Sequence, residues 1–439
     1  METKKNYKYL SFILIFLSIF SFFLGFYLDE NSAGGGSYLG DWTYLWPNLK
    51  LFIENDLYTA ISHENFLTNR PPLLYILHAK LNPFVDNELE YRRSVFIISL
   101  AIPVLFYFCL KQKFKIKDNF LLILLTSTIL LSPYFRTSSY WGLEENYGII
   151  CLLLSFLFLN FFLKNQDQHG YEIYFQLFLL SFFSSLCIYF DQKLLIIPII
   201  CFFTIITSKK TIKIKLFSIF SYFIFSLPYI FLITLWGGIF PTTLTSARRL
   251  GEQFYLEHLG YAVTIIAFYF LPLLLFKEKN LFNTVKDFFL KKNNYYLILL
   301  FIIYIFYLLI LSNFFGYSSL SVEVSTGKGF IHKLSFVLFG DNYVIREIFI
   351  YFSFLISWLI ILIFINKNFK NGFILLYFFL VSIVTLPLMQ EYFDPVIFLL
   401  VFTFLSSKLF ISYKNVIILF FYLSFFLISS NIYYYNLLN

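Results

Sequence analysis

Long apolar runs alternate with short polar segments along the whole chain. A backbone in lipid must satisfy its own hydrogen bonds, so each run predicts a transmembrane helix. About thirteen spans are predicted, at 9–28, 94–110, 119–133, 147–163, 172–190, 194–208, 216–236, 260–276, 295–314, 347–366, 373–389, 395–407 and 415–431. The predicted fold class is an all-α polytopic membrane protein, a single transmembrane domain over residues 1–439.

The composition supports this fold class. Hydrophobic residues make up 59% of the 439 residues and charged residues 13%, whereas soluble domains are about half apolar and about a quarter charged. A water-soluble fold is therefore excluded, and so is a disordered chain, which requires low hydrophobicity. The four cysteines lie in apolar runs without C-x-x-C spacing, so neither a zinc site nor a disulfide framework is predicted.

The positions of the lysines predict the orientation in the membrane. If the Lys-rich N-terminus is cytoplasmic and the spans alternate, most lysines fall on the inside and every arginine falls outside, as the positive-inside rule expects. The formal net charge of +8 then marks topology, and no nucleic-acid partner is predicted. The first apolar run lacks a cleavage site and predicts an uncleaved span. We expect a multi-pass protein of a bacterial cytoplasmic (inner) membrane.

The outer face carries the long loops, at 29–93, 237–259 and 315–346. Long loops without a domain of their own are usually functional, so we expect the active face to be the outer one. Within loop 29–93, apolar residues at near-helical spacing predict an amphipathic helix in the membrane interface. These residues are Trp42, Leu45, Trp46, Leu49 and Phe52.

Two charged residues bracket most of that first loop. Asp41 stands near its start, and Arg70 precedes two prolines near its end. A carboxylate can accept a proton from an attacking hydroxyl, and an arginine can hold a phosphate through two hydrogen bonds. The alternative is structural: Asp41 would cap the following helix, and Arg70 would anchor at the lipid headgroups.

Two further loops supply candidate phosphate contacts. Arg248 and Arg249 are adjacent on the outer face, where headgroup contact or pyrophosphate binding would explain them. Loop 315–346 contains Lys328 between two glycines. It lacks the spacing of a nucleotide-binding P-loop, and we expect a substrate-gating loop in which Lys328 contacts phosphate.

This order of features resembles the GT-C glycosyltransferases, integral-membrane enzymes that use polyprenyl-phosphate sugars. The likeness is to the branch of protein O-mannosyltransferases and lipid A aminoarabinose transferases. It rests on an uncleaved first helix and a long outer loop that opens with Asp41 and closes with Arg70-Pro71-Pro72. Arg70 replaces the usual lysine, and Asn69 replaces an acidic neighbour that is often present.

The resemblance implies roles for further residues. The loop at 134–146 is similar to a Ser-rich family loop that ends in an acid, for which Glu144 and Glu145 are candidates and Glu145 is favoured. Gln192 and Lys193 resemble a Lys/Gln element of the family. Glu145 would orient the acceptor or support the sugar, and Lys193 would meet a phosphate. The structural alternatives are a solvated loop end for the glutamates and a pair between Lys193 and Asp191.

The leading hypothesis is an inverting glycosyltransferase that acts on the outer face. Asp41 and Glu145 would be catalytic. The substrate contacts would come from Arg70, Lys193, Gln192, Arg248, Arg249 and Lys328. The partners would be a polyprenyl-phosphate sugar, membrane lipid and an acceptor that the sequence does not specify.

No cofactor is predicted for this reaction. Asp41 with a glutamate could ligate a divalent cation through hard oxygen atoms, but no D-x-D motif supports it. Two other functions use related substrates: a transporter or flippase of lipid-linked saccharide, and a polymerase or ligase of surface polysaccharide.

Overall fold

The structure is a computed structural model that describes most of the chain. The described residues are 2–33, 40–68, 70–164, 170–238, 255, 258–276, 286, 290, 295–314, 327–365, 369–385, 388–405 and 409–438. Within these ranges the only regular secondary structure is helical.

The chain forms two compact units, one of Met1–Arg248 with Leu423–Asn439 and one of Arg249–Tyr422. The first unit contains α1 (Glu2–Tyr27), α2 (Trp42–Glu54), α3 (Leu57–Ser62), α4 (Leu73–Leu81), α5 (Glu88–Ser99), α6 (Ala101–Phe114), α7 (Asn119–Ser127), α8 (Pro133–Trp141), α9 (Glu145–Lys164), α10 (Tyr171–Phe190), α11 (Ile196–Ile206) and α12 (Ile212–Trp236). The second contains α13 (His258–Phe270), α14 (Tyr295–Phe314), α15 (Gly329–Phe339), α16 (Tyr343–Ile365), α17 (Phe369–Val384) and α18 (Val396–Thr403). The last helix, α19 (Tyr413–Leu438), begins in the second unit and ends in the first.

Seven helical segments of the described residues are long and apolar enough to cross a membrane. They are Asn6–Tyr27, Glu88–Phe114, Glu145–Lys164, Tyr171–Phe190, Ile212–Trp236, Val344–Ile365 and Tyr413–Tyr435. An eighth is possible if Asn119–Leu131 and Pro133–Trp141, bent by 69° at their junction, count as one span. The protein is thus an all-helical, multi-pass membrane protein, and the count of about thirteen spans stays a prediction.

The antiparallel helices α9 and α10 form the centre of the first unit, and α6 packs against α9. At the last residue of α9, the ammonium group of Lys164 donates to the carbonyl oxygen of Gln112 at 3.4 Å. Glu145 begins the same helix, so the lysine-bearing end and the glutamate end of α9 are one helix length apart. At 1.5 Å per residue, its 20 residues span about 30 Å.

The amphipathic helix predicted in the first loop is present as α2, and its five apolar positions are buried. The apolar face packs on other aromatic rings of the same unit. The ring of Trp42 lies 6.1 Å from that of Trp141 and 6.0 Å from that of Tyr91, and Phe52 stacks on Tyr75 at 5.6 Å. The face predicted to meet lipid therefore holds the first loop against the helices.

Candidate functional site

Charged side chains from four separate segments of the first unit meet around Arg70. They come from the start of α2, the segment before α4, the start of α9 and the turn after α10. The predicted residues Asp41, Arg70, Glu145 and Lys193 are therefore in one cluster. Two other acids, Glu144 and Asp191, belong to it as well. We call these six residues the Arg70 cluster.

The guanidinium group of Arg70 is shared among three carboxylates. Its Nη1 contacts Oε1 of Glu144 directly, and its Nη2 lies 2.8 Å from Oε1 of Glu145. The same Nη2 is 3.9 Å from Oδ2 of Asp41. The Arg70 side chain is 19% exposed and that of Asp41 36%, so the cluster is open to surrounding solvent on the Asp41 side.

A second cation completes the other side of the cluster. Lys193 Nζ lies 3.9 Å from Oε1 of Glu145 and 3.5 Å from Oδ2 of Asp191. Asp191 also accepts a hydrogen bond from the backbone N–H of Lys193 at 3.0 Å, which fixes the turn. The pair between Lys193 and Asp191 is therefore present, and the phosphate contact of Lys193 stays a prediction.

Asp41 does not act as a side-chain cap. It stands at the N-terminus of α2, where its backbone oxygen accepts from the N–H of Leu45 at 2.9 Å. Its side chain makes no capping hydrogen bond to the helix. By contrast, Asp56 caps α3 with hydrogen bonds from Tyr58 and Thr59. The carboxylate of Asp41 instead extends toward Arg70.

Gly148 allows the turn after α10 to approach α9. It follows Glu145 by one helical turn. A Cβ atom at this position would lie 2.7 Å from a methyl carbon of Leu194 and 3.5 Å from Cβ of Asp191. A side chain there would push the turn away. Because Gly148 has no side chain, Lys193 can lie 3.9 Å from Glu145.

The Arg70 cluster carries an excess of negative charge. Among the described residues it comprises four carboxylates and two cations, a formal net charge of −2 when all are ionised. Burial, with the field of Glu145 adding to it and that of Arg70 opposing it, raises the pKa of Glu144 to about 7. Burial lowers the pKa of Arg70, but Glu144, Glu145 and Asp41 outweigh it and hold that pKa well above its ordinary value. Glu144 is therefore the carboxyl group that exchanges a proton near neutral pH.

A buried polar chain supports the cluster from α4. Nδ2 of Asn82 donates to Nδ1 of His78 at 2.8 Å, which leaves Nε2 of His78 to donate to the hydroxyl oxygen of Tyr147 at 2.7 Å. Burial lowers the pKa of His78 to about 4, so the imidazole is neutral. This chain joins the helix after Arg70 to the helix of Glu145.

Four predicted substrate contacts remain, and the structure describes two of them. The amide of Gln192 donates to the hydroxyl of Tyr229 at 2.8 Å. Lys328 belongs to the second unit. Arg248 and Arg249 lie outside the described residues.

Sequence reasoning missed part of the site. It favoured Glu145 over Glu144, yet both acids contact Arg70. Ser138 was not singled out, although its hydroxyl donates to Oε2 of Glu145 at 3.4 Å. The adjacent glutamates were the available signal for Glu144. Nothing in the sequence marks Ser138, because the α8–α9 fold alone brings it there.

In the part of the chain that the structure describes, no three His, Cys, Asp or Glu side chains are grouped as metal ligands. The four cysteines are free thiols in buried positions. No family model, no curated protein and no solved structure matches this chain.

Proposed function

We propose that the protein is an inverting glycosyltransferase that takes its sugar from a polyprenyl phosphate. The observation that carries the proposal is the Arg70 cluster. Four residues chosen from sequence as one reaction site, on segments far apart in the chain, are linked by successive ion pairs from Asp41 to Arg70, Glu145 and Lys193.

The proposed location is the outer face of a bacterial cytoplasmic membrane. Lys164 and the lysine-bearing end of α6 stand at the opposite end of α9 from Glu145. The positive-inside rule assigns the lysine-rich end to the cytoplasm. The Arg70 cluster is then on the outer side, where a lipid-linked sugar can enter from the outer leaflet.

The proposed reaction is a single displacement at the anomeric carbon. The acceptor hydroxyl oxygen forms the new bond to that carbon while the bond from carbon to phosphate oxygen breaks. The hydroxyl proton passes to the carboxylate of Asp41, the most exposed member of the ion pairs around Arg70. The electron pair of the broken bond leaves with the polyprenyl phosphate, which gains one negative charge.

Arg70 is proposed to hold the departing phosphate. Its guanidinium group is already shared among carboxylates, so an incoming phosphate must replace at least one of them. Glu144 supplies the exchange, because a proton on its carboxyl group removes the charge that competes for Arg70. The raised pKa of Glu144 keeps the cost of this protonation small at neutral pH.

The placement of the charges favours transfer over transport. A carrier of lipid-linked saccharide is expected to hold ionisable groups near the middle of its spans. Asp41, Arg70, Glu144 and Asp191 lie outside the spanning helices, and Glu145 is the first residue of one. A cluster at helix ends suits chemistry at the membrane surface.

The test is release of polyprenyl phosphate from a panel of polyprenyl-phosphate sugars by the purified full-length protein. This readout needs no knowledge of the acceptor when membrane extract supplies it. Asp41→Asn should slow release about 10²- to 10⁴-fold, the usual contribution of a general base. Glu54→Gln, at the other and exposed end of the same helix, is the matched control and should turn over normally. Normal release by folded Asp41→Asn protein would refute the proposed role.

A further inference from the structure

The second unit contains a group of buried basic side chains that the proposed reaction does not use. Lys328 is 6% exposed, and Arg346 and His332 are each 2% exposed. Ionisable side chains of these types are rarely buried in a membrane protein unless they serve a function.

These three side chains are linked through two aromatic rings. Lys328 immediately precedes α15, whereas His332 and Phe336 lie four residues apart within it, which places those two on one face. The Nζ of Lys328 lies 5.0 Å from the ring centre of Tyr261, and the His332 ring lies 5.5 Å from the same ring. Arg346 comes from the first turn of α16, and its guanidinium carbon lies 4.6 Å from the ring centre of Phe336.

His332 provides the independent sign of a ligand. Neither of its ring nitrogens has a hydrogen-bond partner, although both are buried. A buried polar group without a hydrogen-bond partner destabilises the fold. The fields of Lys328, Arg346 and Lys333 act on it, and together with burial they lower the pKa of His332 to about 3. An oxyanion that accepted a hydrogen bond from this neutral imidazole would satisfy one of its two unpartnered nitrogens.

The backbone at Lys328 shows a second cost. Lys328 has a φ of 67°, between Gly327 at 95° and Gly329 at 84°. A left-handed conformation suits glycine and is strained for lysine. The backbone N–H of Lys328 donates to Leu388 at 2.6 Å, and that of Phe330 donates to the side chain of Gln390 at 2.7 Å. These bonds fix the strained turn, so that Lys328 stands at the N-terminus of α15, where the helix dipole favours negative charge.

We propose that Lys328, His332 and Arg346 form a binding site for a phosphate-type oxyanion in the second unit. The planar fork of Arg346 matches two oxygen atoms of a phosphate, the Nζ of Lys328 supplies a point charge, and His332 supplies an N–H. The inference does not rest on the proposed glycosyl transfer, which uses residues of the first unit.

The test is equilibrium binding of radiolabelled inorganic phosphate to purified full-length Arg70→Gln protein in micelles at pH 7, because the proposed function assigns Arg70 a phosphate of its own. A parallel arm uses a long-chain alkyl phosphate in the same micelles as competitor. Saturable binding with one phosphate per chain is expected. Competition by the alkyl phosphate would identify the ligand as a lipid phosphate, and binding of inorganic phosphate without such competition would identify a soluble one.

Two variants remove the proposed contacts without damage to the fold. Lys328→Gly deletes the ammonium group and suits the left-handed backbone. His332→Phe keeps an aromatic ring against Tyr261 and removes the two unsatisfied nitrogens, so the melting temperature should hold or rise. Each should weaken phosphate binding about tenfold or more, the loss expected for one charge-assisted hydrogen bond.

The control is Lys414→Ala, an exposed lysine of the same unit, which should leave phosphate binding unchanged. The proposal is overturned if phosphate does not bind saturably, or if Lys328→Gly and His332→Phe bind it normally. Polyprenyl phosphate release is a separate readout, and its failure bears on the proposed function alone.

Discussion

Two arginines of the first unit, Arg136 and Arg70, are surrounded by acids in different ways. Arg136 is 2% exposed and meets one carboxylate, that of Glu30. Arg70 is partly exposed and meets three. Charged side chains in a membrane protein are costly and are usually retained for a purpose. The surroundings of the two arginines indicate a different purpose for each.

The Arg136 site is closed. Nε donates to Glu30 at 2.8 Å and Nη2 also contacts Glu30. Nη1 donates to the Ser21 hydroxyl and the Leu130 carbonyl, both at 3.0 Å, and Nη2 donates to the Ser21 carbonyl at 2.7 Å. All five N–H groups of the guanidinium have acceptors. The charges cancel, and the pair ties α8 to the end of α1.

The Arg70 cluster is unbalanced by comparison. It has two more carboxylates than cations, an exposed carboxylate in Asp41, and a carboxyl group in Glu144 that titrates near neutral pH. Such an arrangement is a poor way to stabilise a fold and a suitable way to move a proton. We propose that the satisfied charge of Arg136 is structural and that the unbalanced charge around Arg70 is functional.

Arg136→Met should have the largest effect on folding. It leaves Glu30 buried without its cation, which costs about 3–5 kcal/mol. Unfolding in micelles, followed by circular dichroism against denaturant, would measure the loss. Arg136→Met combined with Glu30→Met should recover most of it, because an apolar pair can replace a buried ion pair. Equal stability of the single variant and the unaltered protein would show that Arg136 is not a structural tie.

Gly148→Ala should have an intermediate effect that falls on the site. Its methyl group meets Leu194, and overpacking of this kind costs about 1–3 kcal/mol. The shifted turn would move Lys193 from Glu145, and polyprenyl phosphate release should fall. Gly372→Ala is the control, because a Cβ at that helical glycine has no neighbour within 4 Å. Similar behaviour of the two variants would exclude close packing as the role of Gly148.

The third prediction concerns the pH dependence of stability. The pKa of Glu144 is about 7 in the folded protein against an ordinary 4.5. The folded state therefore binds the extra proton between these values, and its stability falls as pH rises from 4.5 toward 7. Below pH 4.5 Glu144 is protonated in both the folded and the unfolded state, so it adds no further pH dependence to the stability. Thermal unfolding across this range would show the slope, and Glu144→Gln should remove it; a slope unchanged in that variant would assign the proton elsewhere.

The sequence predicts the features that depend on local pattern. Apolar runs located the long spanning helices, and polar residues between them drew attention to Asp41, Arg70, Glu145 and Lys193. Residue spacing could not predict that α2 turns its aromatic face inward, because this depends on rings of α5 and α8 that meet only in the folded chain. Nor could it rank Glu144 against Glu145, since burial and charge count decide their protonation.

The most direct test of the account is polyprenyl phosphate release per folded molecule, measured side by side for Asp41→Asn and Arg136→Met. We expect Asp41→Asn to fold normally and release almost nothing, because it removes one surplus carboxylate that serves as the base. We expect Arg136→Met to yield little folded protein, whose surviving molecules release polyprenyl phosphate at the unaltered rate. Full release by Asp41→Asn, or inactive molecules among folded Arg136→Met protein, would contradict the distinction between the two arginine sites.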